Sequence, residues 1–212
     1  MSEQIPVSEQ VARYLLEIEA IRINLDDPFS WASGWKSPIY CDNRISLSYP
    51  QIRTFIKNEL INLIRNKFKM VEAIAGVATA GIPQGALVAD HLGLPFLYVR
   101  AKPKEHGLSN QIEGRTKAGQ RVVVIEDLVS TGGSSMNAIE ALRNAGVEVL
   151  GMASIFSYAF QQSVVLFEKN ELPFYSLSDY EVLIDVALRA GYIMTDEVDQ
   201  LKAWRMDPAH WR

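Results

Sequence analysis

Two periods govern where the apolar residues fall along this 212-residue chain. Over residues 8–24 they recur three to four positions apart, at Val11, Leu15, Ile18 and Ile21. That spacing predicts an amphipathic helix capped by Ser8 and lying over one end of the core. Residues 49–67 repeat it, with Ile52, Phe55, Ile56, Leu60, Leu63 and Ile64 on one side of a second helix. Short continuous apolar runs then take over and predict strands at 71–78, 96–100, 147–157 and 174–177. Val122, Val123, Val124 and Ile125 form a β-branched run with no solvent-facing alternation, which reads as a central strand covered on both faces. Helical patterns fall between the strands at 84–91, 136–145, 160–168 and 179–190, the last with Ser178 as its N-cap. A further short helix is expected around 197–204, with Trp204 and Trp211 packing on the body. Strands alternating with helices through short connections predict an α/β fold, a central parallel sheet flanked by helices. No internal repeat divides the chain, so a single domain over 1–212 is the economical organisation.

Two segments depart from this rhythm. Residues 26–40, DDPFSWASGWKSPIY, are polar, rich in turn formers and unusually aromatic, as expected of a shaped loop. Trp31 and Trp35 taken singly would also suit an aromatic core plug. Residues 101–119 have neither period nor hydrophobic face, and a connection this long inside a compact domain is functional or disordered. Between Arg100 and Arg121 stand six cations, Arg100, Lys102, Lys104, Arg115, Lys117 and Arg121, against Glu105 and Glu113, with His106 and Gly107 in the middle. A chain of net charge −4 thus concentrates positive charge in its one long loop, which predicts closure on an anion, although a solvated basic loop would carry the same charges.

The segment RVVVIEDLVSTGGSS, 121–135, organises the rest. Glu126 and Asp127 are expected where the strand leaves the sheet, and the turn Ser130–Thr131–Gly132–Gly133–Ser134 leads into the next helix. First-turn N–H groups lack intrahelical partners and sit at the positive end of the helix dipole, so a phosphate is favoured there. Two carboxylates beside it would repel a phosphate, so they should face ribose hydroxyls or a sugar-bound Mg²⁺. No lysine follows the glycines as in a Walker loop, and no G-x-G-x-x-G follows a first strand. An ordinary strand, turn and helix with an acidic cap would share these features. A second turn, 78–83, places Gly81 where a backbone could approach a ligand closely, or simply starts a helix with Pro83 in its first turn.

Composition narrows the setting. An acidic balance argues against a nucleic-acid binder acting through bulk electrostatics. No stretch reaches the apolar length of a membrane span, and the first ten residues lack the order of a signal peptide. Cys41 is the only cysteine, so no intrachain disulfide forms and a cytoplasmic location is the default expectation.

Two acids followed by S-T-G-G after an apolar strand resemble the phosphoribosyl pyrophosphate (PRPP) motif of type I phosphoribosyltransferases. Arg100, the alternate lysines, His106–Gly107 and Ile112–Glu113–Gly114 are similar to the catalytic loop of the orotate phosphoribosyltransferases, and SGWKSPIYCDNR, 33–44, to their pyrimidine-embracing segment. The likeness spans roughly residues 8–179. It implies the type I phosphoribosyltransferase fold with a small N-terminal hood, residues 1–48 contributing the hood and orotate loop and 70–178 the PRPP-binding core. The implied reaction joins orotate to PRPP, giving orotidine 5′-monophosphate and pyrophosphate in pyrimidine synthesis. Arg100, Lys104 and His106 would be catalytic. Glu126, Asp127, Leu128, Val129, Ser130, Thr131, Gly132, Gly133 and Ser134 would bind PRPP, and Ser130, Lys36 and Tyr40 orotate. Mg²⁺ would be held mainly through PRPP, with no protein ligand set of its own. A homodimer sharing loop 101–119 across subunits is implied as well, with no nucleic-acid or membrane partner. The chain departs from the family's pattern at Ala32 and Thr79, where many members carry lysine, and in SIFSYAFQQ, which lacks an arginine that others use for the orotate carboxylate. A purine phosphoribosyltransferase would share the acidic turn but not SGWKSPIY; a PRPP-sensing regulator or a non-catalytic sugar-nucleotide module are the readings of other classes.

Overall fold

The computed structural model of the chain describes residues 5–31, 33–102 and 111–211. Helix α1 (Val7–Glu17) buries Val11, Ala12, Leu15 and Leu16 and starts after Pro6, so Ser8 lies inside its first turn instead of capping it. It ends seven residues short of the predicted span. Glu19 takes a left-handed backbone (φ 56°), and Ile21–Ile23 becomes strand β1, whose alternate β-branched residues mimicked helical spacing. The aromatic segment forms β2 (Phe29–Ser30), β3 (Lys36–Ser37) and β4 (Ile39–Cys41), with β2 pairing β3 and β1 pairing β4, both antiparallel. A 3-10 turn over Asn43–Ser48 leads into α2 (Pro50–Lys67).

The main sheet follows: β5 (Ala73–Val77), α3 (Gly81–Leu92), β6 (Phe96–Val99), β7 (Ile112–Glu113), β8 (Arg121–Val129), α4 (Gly133–Asn144), β9 (Glu148–Ser157), α5 (Gln161–Lys169), β10 (Phe174–Asp179), α6 (Tyr180–Arg189) and α7 (Glu197–Met206). Its six strands lie in the order β10-β9-β8-β5-β6-β7. All neighbours are parallel except the edge pair β6 and β7, so the long loop contributes an antiparallel strand that its polar composition concealed. Burial on both faces explains the lack of alternation in β8: Val123 and Ile125 join one core, Val122 and Val124 the other. Asp179, not Ser178, caps α6, its carboxylate accepting from the N–H groups of Glu181 and Val182 at 3.0 and 3.1 Å.

Trp204 of α7 is fully buried. Its indole N–H donates to the Lys36 carbonyl at 3.0 Å, and its ring meets Trp31 edge-on at 5.7 Å. The C-terminal helix therefore braces the β2–β3 ribbon. Trp31 also packs on Tyr158, just past β9, at 5.1 Å, which sets the ribbon beside the carboxyl ends of the strands. Trp211 packs against the same core. Among the described residues, no helix is long and apolar enough to cross a membrane.

Candidate functional site

Three adjoining cavities make a trough along the carboxyl edge of the sheet. The first is lined by Thr79, Tyr98, Arg100, Ala101, Lys102 and Glu113 among others. Ala78 and Thr79 also wall the second, which holds Asp42, Arg44, Glu126, Asp127, Ser130 and Ser134. Cys41, Leu128 and Ser130 pass on into the third, with Ser30, Trp31, Ser33, Tyr40 and Tyr158. Ligands of α/β sheets gather at this edge, where loops of one polarity converge.

Glu126 and Asp127 do not mark the end of their strand. β8 runs on to Val129 beside β9, with Glu126 opposite Ser154 and Leu128 opposite Phe156, while β5 pairs β8 only as far as Ile125. The acid pair therefore lies on a strand that outruns its neighbour. Asp127 uses the vacated edge locally: its N–H donates to Glu126 Oε1 at 3.1 Å, and its carbonyl accepts from Asn43 Nδ2 at 2.7 Å. Burial, and then the charge of Asp127, hold the Glu126 carboxyl well above the usual carboxylate range. Burial raises Asp127 too, opposed by its hydrogen bonds and by Arg44. Such a pair is stabilised in its ionised form by hydroxyl donors or a cation. Among the described residues no three His, Cys, Asp or Glu side chains converge as a metal cage. The two carboxylates fit a cation that takes its remaining oxygens from a ligand.

Behind them, Gly132 adopts a left-handed backbone (φ 82°) and caps α4 without a side chain, so the first-turn N–H groups are left to a ligand or water. Ser130 and Ser134 face the cavity, whereas Val129 is buried in the core behind it. Of the two readings left open for the turn before α3, the structure shows the helix start, with Gly81 opening α3 and Pro83 in its first turn. A Cβ on Gly81 would lie 2.5 Å from the Ile125 carbonyl oxygen, so the glycine lets α3 settle directly onto β8 beside the acids. The Ala78–Thr79 peptide is cis.

At the far end, Arg100 pairs with Glu113 at 3.6 Å. Gln111 closes the loop's base, its amide donating to the Arg100 carbonyl at 2.8 Å, and Asn137 of α4 donates to the Ala101 carbonyl at 2.9 Å. Lys104 and His106 lie outside the described residues. Of the expected base contacts, Tyr40 and Ser130 line the third cavity. Lys36 does not; its ammonium donates to Ser30 Oγ at 2.8 Å, one hydrogen bond behind the lining. Asp42, Asn43 and Arg44 were missed as individual residues. Their ion pair is between near neighbours, and nothing in the sequence places them against residues 126 and 127.

The phosphoribosyl transferase domain family matches residues 47–173. An orotate phosphoribosyltransferase of Porphyromonas gingivalis is 56% identical over 201 residues, 95% of this chain and 96% of that one. The Bacillus subtilis orotate phosphoribosyltransferase is 52% identical over 198 residues, covering 93% and 92%. The crystal structure of orotate phosphoribosyltransferase from Aeropyrum pernix, 28% identical, superimposes with a TM-score of 0.75 over 87% of this chain and 99% of that one. With likeness of this extent added to an acid pair on an outrunning strand, an uncapped helix and an aromatic cavity on one sheet edge, the chain belongs to the orotate phosphoribosyltransferases of the type I phosphoribosyltransferase family.

Proposed function

We propose that the chain transfers the 5-phosphoribosyl group of PRPP to orotate, giving orotidine 5′-monophosphate and pyrophosphate. One observation carries the reading: a carboxylate pair and an uncapped helix N-terminus line one cavity, which opens on one side to cations and on the other to aromatic rings. In this reading the α4 N–H groups, with Ser130, Thr131 and Ser134, take the 5-phosphate. Glu126 and Asp127 accept hydrogen bonds from the ribose hydroxyls and hold the sugar in place. The pyrophosphate extends past Thr79 toward Arg100 and Lys102, with Lys104 and His106 brought by the loop. Cations there stabilise the leaving group as the bond from C1 breaks, more than they stabilise bound PRPP. Orotate lies against Tyr40 and Ser130, and its N1, having given up its proton to solvent before the loop closes, forms the new bond to C1 as the bond to pyrophosphate breaks. Mg²⁺, which the family likeness implies arrives with PRPP, would be faced by Glu126 and Asp127 and would supply further charge neutralisation. Closure of the loop would exclude water from the electrophilic sugar carbon. The family likeness favours a homodimer in which loop 101–119 serves the neighbouring site.

The test is to supply PRPP and Mg²⁺ with orotate, uracil, hypoxanthine or adenine and follow pyrophosphate release. Release with orotate alone is expected. Release with a purine and none with orotate would overturn the reading.

A further inference from the structure

We propose that Arg44 sets the preference for a carboxylate-bearing base, by pairing with the carboxylate of orotate at the seam between the sugar and base cavities. The inference rests on the reaction proposed above.

The chemistry of the ligand locates the seam. Orotate bonds through N1, and its carboxylate sits on C6, the ring atom next to N1. When N1 faces C1 of the ribose, the carboxylate is therefore carried to the sugar side of the base cavity and not to its far end. That boundary is walled by Cys41, Leu128 and Ser130, which line both cavities.

An anion arriving there meets acids. Asp42, Glu126 and Asp127 line the second cavity, and among the described residues lining the two cavities Arg44 is the one cation. Its position is built. Nε donates to Asp42 Oδ1 at 2.7 Å and Nη2 to Asp42 Oδ2 at 2.8 Å, while the Arg44 backbone N–H donates to the same carboxylate at 3.1 Å. This fork fixes the guanidinium plane through one edge and leaves Nη1 for a second oxyanion. The side chain remains 57% exposed and lines the same cavity as Asp127, while Tyr40 lines the next cavity across the seam.

Other described cations are committed elsewhere. Lys36 is turned to Ser30. Arg22 lies over the rings of Phe29 and Tyr40 at 5.4 and 5.2 Å and opens to a separate cavity beside Tyr192. Arg100 and Lys102 stand beyond Thr79 at the pyrophosphate end.

The test uses the full chain and the variants Arg44→Met, Arg44→Lys, Asp42→Asn and Lys36→Met, each checked for folding by its melting transition. Binding of orotidine 5′-monophosphate is compared with binding of uridine 5′-monophosphate, which lacks the carboxylate, and steady-state KM values are measured for orotate and PRPP. Loss of a charge-assisted bond predicts that Arg44→Met raises the orotate KM by roughly 10- to 150-fold and collapses the preference between the two nucleotides by the same factor. The PRPP KM should rise by a clearly smaller factor, since Arg44 also favours the ionised form of Asp127 in the sugar cavity. Arg44→Lys and Asp42→Asn, which keep the charge but lose the fork, should give intermediate losses. Lys36→Met should leave the nucleotide preference unchanged. An undiminished preference in Arg44→Met, a loss confined to PRPP, or a preference that instead disappears in Lys36→Met would overturn the assignment. A wild-type chain that ignores orotate altogether would instead sink the proposed reaction.

Discussion

Asn43 is a strut between two parts of the site that lie 84 residues apart in the chain, and its removal should be felt in both stability and PRPP binding. The side chain is 2% exposed. Its Nδ2 donates to the Asp127 carbonyl at 2.7 Å, and its Oδ1 accepts from the Cys41 thiol at 3.4 Å. Because β5 stops pairing with β8 at Ile125, no strand stands ready to replace the bond to Asp127. Asn43→Ala leaves that carbonyl unsatisfied in a partly buried place, which costs about 1–3 kcal/mol, and the small void adds roughly 1 kcal/mol more. A total of roughly 2–4 kcal/mol corresponds to a melting temperature lowered by about 4–16 °C in a chain of this size. Since the bond fixes the peptide that follows Asp127, and with it the direction of the acid pair, PRPP affinity should fall about tenfold or more, the equivalent of about 1.4 kcal/mol. Urea denaturation and isothermal titration with PRPP measure the two effects. A variant within about 0.5 kcal/mol of the parent, with unaltered PRPP affinity, would refute the reasoning, since surface substitutions alone fall in that range.

Gly81→Ala should destabilise by about 1–3 kcal/mol in urea denaturation, because the added Cβ meets the Ile125 backbone carbonyl and not a side chain that could yield. Glu126→Gln should stabilise the ligand-free protein at neutral pH while weakening PRPP binding. The folded-state pKa of Glu126 is raised, so the fold binds more protons than the unfolded chain above the usual carboxylate pKa, and stability falls as pH rises through the raised value. Melting curves from pH 4 to 8 should show that fall in the parent and a weaker one in the variant; for the same reason, PRPP binding should strengthen with pH over the same window. Lys104→Ala should lower turnover far more than PRPP affinity, as expected of a cation that acts on the departing pyrophosphate; equal losses in the two would contradict that role.

The alternation of strands and helices was legible because burial on both faces of β5 and β8 leaves unbroken apolar runs, and because α2 and α4 carry clear three-to-four spacing. Boundaries failed where a local signal had a second cause. Ile18 and Ile21 continued a helical period into a strand, and Ser178 resembled a cap one residue ahead of Asp179. The acid pair and the glycine turn were readable as chemistry, since carboxylates beside a helix start demand a particular ligand. Their setting on an outrunning strand was not, because it depends on where β5 ends. Arg44 and Asn43 escaped for a related reason: their partners, Asp127 above all, are brought to them only by the sheet. The bracing by Trp204 was likewise invisible, the tail offering an aromatic residue but no hint of its contact with Lys36.

The most direct measurement is the position of PRPP in crystals of the protein soaked with PRPP and Mg²⁺. The ribose hydroxyls should lie within hydrogen-bond distance of Glu126 and Asp127, with the 5-phosphate on the N–H groups that open α4. A sugar bound away from those carboxylates, or a 5-phosphate seated elsewhere in the trough, would contradict the account.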